Sequence, residues 1–247
     1  MISDEVVVVE VAQGVAIITM NRPQSRNALH PIMIAALHSS FVELAQRQDI
    51  NAIVLTGNGP AFSAGLDLKY LVTLDSGARV AYMRSAFALF ETLYHLPIAT
   101  IAAVNGAAVA GGFDLAVFCD IRTCVPNAIF AQPEIKIGVS QFVYPLYTIV
   151  GMGKAKELAL TGDPISADEA YRIGLVNHVF DDVELMDKTG ALARAIASRP
   201  RDTISESKVT ANSLKGKSID EAFVVMGDAL DRTMGSESHK IALNFFI

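Results

Sequence analysis

Tryptophan is absent from the 247 residues, and aromatic residues make up only 7% of them. So thin a supply leaves no base-stacking surface for single-stranded nucleic acid. Positive charge is also in deficit: 20 Lys and Arg stand against 26 Asp and Glu, a net charge of −6. Phosphate backbones demand a basic field, so no nucleic-acid partner is expected. A small anionic ligand, which needs only a few local donors, is not excluded. Cysteine occurs twice, as Cys119 and Cys124. Their spacing suits neither CxxC redox chemistry nor a zinc site, and five scattered histidines add no ligand cluster, so no metal is expected. So few cysteines suit a reducing compartment, and the acidic start MISDEVVVVEVAQG lacks the basic region that opens a signal peptide. A cytoplasmic location is the expectation.

Charge is missing altogether between Thr92 and Phe113, a stretch long enough to cross a bilayer. It contains His95, Pro97, Asn105, Gly106, Gly111 and Gly112, and no Lys/Arg clusters flank it. A buried strand running into a glycine-rich turn explains it better, and no membrane partner is expected.

What the chain has in quantity is apolar residues, 51% against 19% charged, enough for one large core. Val- and Ile-rich runs at residues 5–11 and 15–20, joined by Ala12-Gln13-Gly14, predict a β-hairpin. Ile34, Leu37, Phe41 and Leu44 at helical spacing predict a helix over residues 31–49. Further strands are predicted at residues 52–55, 98–104, 121–125 and 176–180. Helices are predicted at residues 78–96, stopped before Pro97, and at 113–118. Ser166 with Glu169, and Ser218 with Glu221, read as capping boxes that open later helices. Strands alternating with helices make this an α/β protein. Residues 1–190 read as its core and 191–247 as a C-terminal helical region, with helices from 187 to 246. Too short to bury a large core of its own, that region should pack on the body or on a neighbouring subunit.

Several familiar motifs fail. Gly57-Asn58-Gly59 has Phe62, and Gly151-Met152-Gly153 has Lys156, where a dinucleotide fingerprint needs its third glycine. Gly216-Lys217-Ser218 ends like a P-loop, but Ala211 stands where the first glycine belongs. No G-x-S-x-G elbow occurs.

Four segments remain: NRPQSRNAL (residues 21–29), AFSAGLDL (61–68), VNGAAVAGGFDLA (104–116) and FAQPEIKIG (130–138). Ala64-Gly65 and Ala110-Gly111-Gly112 are small-residue turns where a ligand could approach backbone N–H groups. The second precedes a predicted helix, whose first N–H groups favour negative charge. Two convergent donors would stabilise an enolate on a carbonyl; ordinary tight turns are the plainer reading of each alone. Asp114 and Glu134 have apolar neighbours on both sides, so each is either paired or poised for acid–base work.

Taken together and in this order, the four segments resemble the enoyl-CoA hydratase/isomerase (crotonase) superfamily. Residues 160–179, LTGDPISADEAYRIGLVNHV, are similar to a further segment of that family. The resemblance implies a crotonase-like spiral of β-β-α units with a C-terminal helical trimerisation region, assembled as a homotrimer or a dimer of trimers. It implies no cofactor beyond coenzyme A as the acyl carrier of the substrate. It places the oxyanion donors on the N–H groups of Ala64 and Gly111, and CoA or substrate contacts on Gln24, Ser25, Arg26, Ala28, Gly65, Leu66, Asp67 and Leu68. The family's two hydratase glutamates fall on Asp114 and Glu134, the catalytic candidates. Asp114 is thus shorter than its counterpart by one C–C bond, ~1.5 Å.

An enoyl-CoA hydratase adding water across a 2-enoyl thioester is the leading implication. The alternatives are an isomerase using Glu134 as its single base, and a weakly active acyl-CoA binding protein. Dienoyl-CoA isomerases carry an Asp where Phe142 stands, and acyl-CoA dehalogenases use an Asp nucleophile in that region, so both fit poorly. The loop GVSQFVYPLYTIVG (residues 138–151) is bulkier than in many hydratases, and Phe142 and Tyr144 should border the acyl pocket, with Tyr147 beside them. Tyr82, Met83 and Phe87, on the helix before Pro97, are further pocket candidates, with plain core packing as their other reading. Relatives usually continue into a basic tail beyond the Asn244-Phe245-Phe246-Ile247 end, which leaves Arg22, Arg26 and Lys69 as local cations for CoA phosphates.

Overall fold

Two turn residues with positive φ, Gln13 at 53° and Gly14 at 76°, set the geometry of the first hairpin. They join β1 (Val7–Ala12) to β2 (Val15–Met20), paired antiparallel from Val7 against Met20 to Ala12 against Val15. The computed structural model to which these elements belong describes residues 5–244. The last two residues of the helical run expected to reach 246 lie outside the described residues.

After the hairpin comes α1 (Pro31–Gln46), with Pro31 at its first position and the His30 side chain accepting the Ile32 N–H. It stops short of residue 49 because Arg47 turns extended and its guanidinium closes on Asp49 at 2.6 Å. Three β-β-α units follow. The first contains β3 (Ala52–Gly57), β4 (Ala61–Ser63), α2 (Leu68–Leu71) and α3 (Ser76–His95). The second contains β5 (Ala99–Val104), β6 (Ala107–Val109) and α4 (Gly111–Phe118). The third contains β7 (Ile121–Cys124), β8 (Ile129–Ala131), α5 (Leu146–Val150) and α6 (Met152–Thr161). β9 (Ile165–Ser166), α7 (Ala167–Arg172), β10 (His178–Val179) and α8 (Leu185–Ala197) complete the body. Beyond it run α9 (Arg201–Ser213), α10 (Ile219–Met234) and α11 (Glu237–Leu243).

The first strand of each unit enters a six-stranded sheet ordered β1-β2-β3-β5-β7-β10, parallel apart from β1. The second enters a four-stranded sheet ordered β4-β6-β8-β9, parallel apart from β9. This is the β-β-α spiral the resemblance implied. The four strands of the smaller sheet, two or three residues each, went unread in the sequence because so short a run displays no alternation. The uncharged stretch from Thr92 resolves into the end of α3, then β5, β6 and the start of α4. Among the described residues no helix is long and apolar enough to cross a membrane.

β3 and β5 are buried at every position, as parallel strands covered on both faces require. One cover is α8, which packs on β2, β3, β5 and β7. The expected division at residue 190 therefore falls inside a helix that belongs to the sheet's packing. α9 is fastened to the body by Lys208, whose ammonium reaches Asp120 at 2.8 Å and the Ile98 carbonyl at 3.2 Å. The box at Ser218 is complete, side chain and backbone bonding reciprocally with Glu221. That at Ser166 is half made, since the Glu169 carboxylate turns instead to Arg172 and Lys154.

Candidate active site

The four segments meet through their backbones. Arg26 and Asn27 both take positive φ, 50° and 53°, which turns the NRPQSRNAL loop against the chain after β4. Buried Asn27 holds it there, its amide donating to the carbonyls of Asn58 at 2.9 Å and Ala61 at 2.8 Å. Ser63 Oγ donates to the Asn27 carbonyl, and the Leu29 N–H donates to Gly65 at 2.7 Å. The Arg22 guanidinium bonds the Ala28 carbonyl at 3.0 Å and the Asp67 carboxylate at 3.4 Å.

Close approach of Gly65 to the start of α4 joins the second segment to the third. A Cβ on Gly65, whose φ is +79°, would lie 2.7 Å from the Gly111 nitrogen. One on Gly112 would lie 2.2 Å from the Ser63 carbonyl oxygen. Both glycines are therefore required by contact between two backbones.

This approach decides which N–H groups are available. Ala64 donates to the Arg26 carbonyl at 2.9 Å, and Gly65 donates to Ser63 Oγ at 3.2 Å. The Leu66 and Gly111 N–H groups have no hydrogen-bond partner among the described residues. The expectation for Ala64 is thus corrected: the pairing that seats the NRPQSRNAL loop consumes its N–H. Leu66 and Gly111 line one cavity of about 300 Å³, and Asp114, Glu134 and Gln141 line it too.

Asp114, one turn into α4, is buried, and its Oδ1 accepts from Gln132 Nε2 at 3.2 Å. Burial pushes its carboxyl well above the usual carboxylate range; the nearby Glu134 charge adds to this and the Gln132 bond opposes it. Glu134 sits in a short 3-10 turn, Pro133–Ile137, and burial raises its carboxyl as well, against its own backbone N–H and the neighbouring Gln141. Gln141 lies beside Glu134 without a hydrogen bond of good geometry. Its Nε2, Glu134 Oε2 and Gln132 Oε1 are all buried and unpartnered among the described residues.

The acyl-pocket candidates divide. Met83, Phe87 and Phe142 line the cavity. Tyr82 does not: its hydroxyl donates to the Leu29 carbonyl and accepts from the Asp67 N–H at 2.9 Å, so it braces the loop from outside. Burial pushes its phenol up to about 12, which keeps the donor in place. Tyr144 is also turned away, its hydroxyl paired with that of Tyr94 at 2.5 Å and its ring, like that of Tyr147, beneath the Lys215 ammonium.

Among the candidate CoA contacts, Leu66 and Leu68 reach the cavity. Gln24 and Arg26 are exposed, Ser25 is half-buried and Ala28 buried. Asp67 is engaged by Arg22 and caps α2 through the Tyr70 N–H, which takes Arg22 out of the set of free cations. Arg26 and Lys69 stay exposed. Gln132 was not singled out from the sequence, although it lies in the segment quoted there. A polar residue between Ala131 and Pro133 in an apolar run was the available signal. Among the described residues no cluster of three His, Cys, Asp or Glu could hold a metal ion.

A model of the enoyl-CoA hydratase/isomerase family matches residues 10–240. The chain belongs to this family. It is 34% identical over 247 residues to the short-chain-enoyl-CoA hydratase of Clostridium acetobutylicum, covering 98% of this chain and 94% of that one. It is 31% identical to the crotonyl-CoA hydratase of Syntrophomonas wolfei, covering 98% and 95%. Among solved structures, the enoyl-CoA hydratase from Bacillus anthracis superposes with a TM-score of 0.94 at 26% identity, over 98% of this chain and 95% of that one.

Proposed function

We propose that this chain is an enoyl-CoA hydratase, with Leu66 and Gly111 as its oxyanion donors and Asp114 and Glu134 as its acid–base pair. The observation that carries this reading is the meeting of two unpartnered N–H groups and two carboxyls raised by burial in a single cavity. The thioester oxygen takes both N–H bonds, which strengthen as enolate charge builds on it. Water adds through its oxygen to Cβ while one carboxylate accepts its proton and the other carboxyl delivers a proton to Cα. The pair carries one proton before and after, and it titrates as a unit. Gln132 fixes the shorter Asp114 in place, and Glu134, a lining residue of the same cavity, has its Oε2 buried without a partner among the described residues.

Coenzyme A is the acyl carrier, with Gln24, Ser25, Arg26 and Lys69 on the side where its polar portion lies; no other cofactor enters. A cytoplasmic site of action belongs to the same reading, with Cys119 and Cys124 both free thiols. So does a homotrimer or dimer of trimers, supported by the apolar face of α10, where Ile219, Phe223, Leu230 and Met234 are exposed.

The test is incubation with crotonyl-CoA, following loss of the conjugated enoyl thioester absorbance, alongside 3-enoyl-CoA, following its appearance. Hydration gives the first signal. The competing isomerase reading, which draws on the short reach of Asp114 and its tie to Gln132, gives the second without the first. Retained acyl-CoA binding with neither signal points to a binding protein. Glu134→Gln is expected to abolish turnover, and Asp114→Asn to abolish hydration.

A further inference from the structure

Three phenylalanines of the cavity wall face two ways. Phe87, Phe90 and Phe142 line the cavity that holds Asp114 and Glu134, and they also line a second cavity of about 260 Å³. The second one continues past them to Phe118, Tyr94 and Tyr144, with Glu91 and His95 among its lining residues.

Phe142 is the partition. Its ring centroid lies 4.3 Å from that of Phe87, 6.1 Å from Phe90 and 6.4 Å from Phe118, at interplanar angles of 68°, 86° and 84°. All three contacts are edge-to-face, the arrangement aromatic rings favour. Phe90 is itself stacked on Phe118 at 5.5 Å, so the rings brace one another. The backbone of Phe142 is held too, its carbonyl accepting from Gln132 Nε2 at 3.1 Å. That same amide holds Asp114. One amide therefore ties the Phe142 backbone to the buried Asp114 carboxyl that lines the same cavity.

We propose that Phe142 is the stop of the acyl pocket, making the substrates short-chain acyl-CoA thioesters, and that the second cavity is the space a longer chain would enter were the ring removed. The proposal rests on the hydratase reading for its substrate but on the two cavities for its geometry. Leu66, Gly111, Met83, Phe87, Phe90 and Phe142 line one cavity, so an acyl chain whose thioester oxygen sits on the two N–H groups shares its pocket with the Phe142 ring. Going further would break three ring contacts at once and strain the carbonyl bond to Gln132. Edge-to-face contacts with three neighbouring rings oppose displacement of the Phe142 ring.

The test compares kcat/KM for 2-enoyl-CoA thioesters of four, six, eight and ten carbons in the unaltered protein, Phe142→Leu and Phe142→Ala. Dissociation constants for the matching saturated acyl-CoAs are measured in parallel. Discrimination in an apolar pocket runs to roughly tenfold or more per methylene that does not fit. The unaltered protein should therefore lose at least that factor between the four-carbon and ten-carbon substrates. Phe142→Ala should raise the ten-to-four-carbon ratio by about tenfold or more, with Phe142→Leu between, and the dissociation constants should follow the same order. Equal handling of four and ten carbons by the unaltered protein would overturn the proposal, and so would an unchanged ratio in a folded variant. If no thioester is hydrated at any length, the hydratase reading fails, while the dissociation constants still decide whether Phe142 ends the pocket.

Discussion

At the scale of single residues, the chemistry of this site depends on which polar groups the fold leaves without a partner. Ala64 and Leu66 are two positions apart in one loop, yet the first N–H is spent on the Arg26 carbonyl and the second has no partner among the described residues. Replacing the Leu66 amide by an ester, through incorporation of the corresponding α-hydroxy acid, should lower kcat by about 10²–10³ with little change in KM. The same exchange at Ala64 should act mainly on stability, which thermal melting would separate from catalysis.

Asp114 carries a second consequence at this scale. Its carboxyl is raised in the folded state, so the native protein binds more protons than the unfolded chain above the ordinary carboxyl range. Stability that Asp114 permits while protonated is lost as pH rises from that range through its folded value. Asp114→Asn removes the penalty and keeps an oxygen for Gln132. The variant should gain on the order of 1 kcal/mol over the parent at pH 8 and little at pH 4, read from paired denaturation curves. A gain that shrinks with rising pH would contradict the assignment. The thiols of Cys119 and Cys124, both pushed up to about 12 by burial, take no part in such titrations near neutrality.

At the scale of elements, α4 is the part on which the site turns. Its first residue supplies an N–H, its fourth the buried carboxyl, and its far end is closed by buried Arg122, whose guanidinium donates to the Cys119 carbonyl at 2.6 Å and to Ala116 at 3.3 Å. The position of α4 is set by Gly112 against Ser63. Gly112→Ala should push α4 away from β4, costing about 1–3 kcal/mol in stability and most of the activity. Full activity at unchanged stability would show that the backbone contact has room to spare.

At the scale of the whole molecule, the body and the C-terminal helices differ in what they bury. α8 is built into the large sheet, while α10 has Ala229 as its one buried residue among those described and carries an apolar face outward. Phe223→Asp on that face should dissociate a trimer to monomers, measured by sedimentation, with far-UV circular dichroism preserved. A chain that is monomeric before the change would remove the basis for the assembly.

Much of this was legible in the residues alone. The hairpin, the buried strands 98–104 and 121–125, the helix before Pro97 and the family could all be read there. Each rests on local chemistry: β-branched runs, helical spacing, proline as a stop, and motifs whose order along the chain carries the resemblance. The candidate carboxyls Asp114 and Glu134 came from the same source, as polar residues set in apolar stretches. Tertiary structure alone decided that Arg26 takes the Ala64 N–H while that of Leu66 has no partner among the described residues, that Tyr82 and Tyr144 turn away from the cavity, and that Gln132 joins Asp114 to Phe142. Those outcomes depend on partners far apart in the chain, and a hydrogen bond between distant segments leaves no periodic trace in either of them.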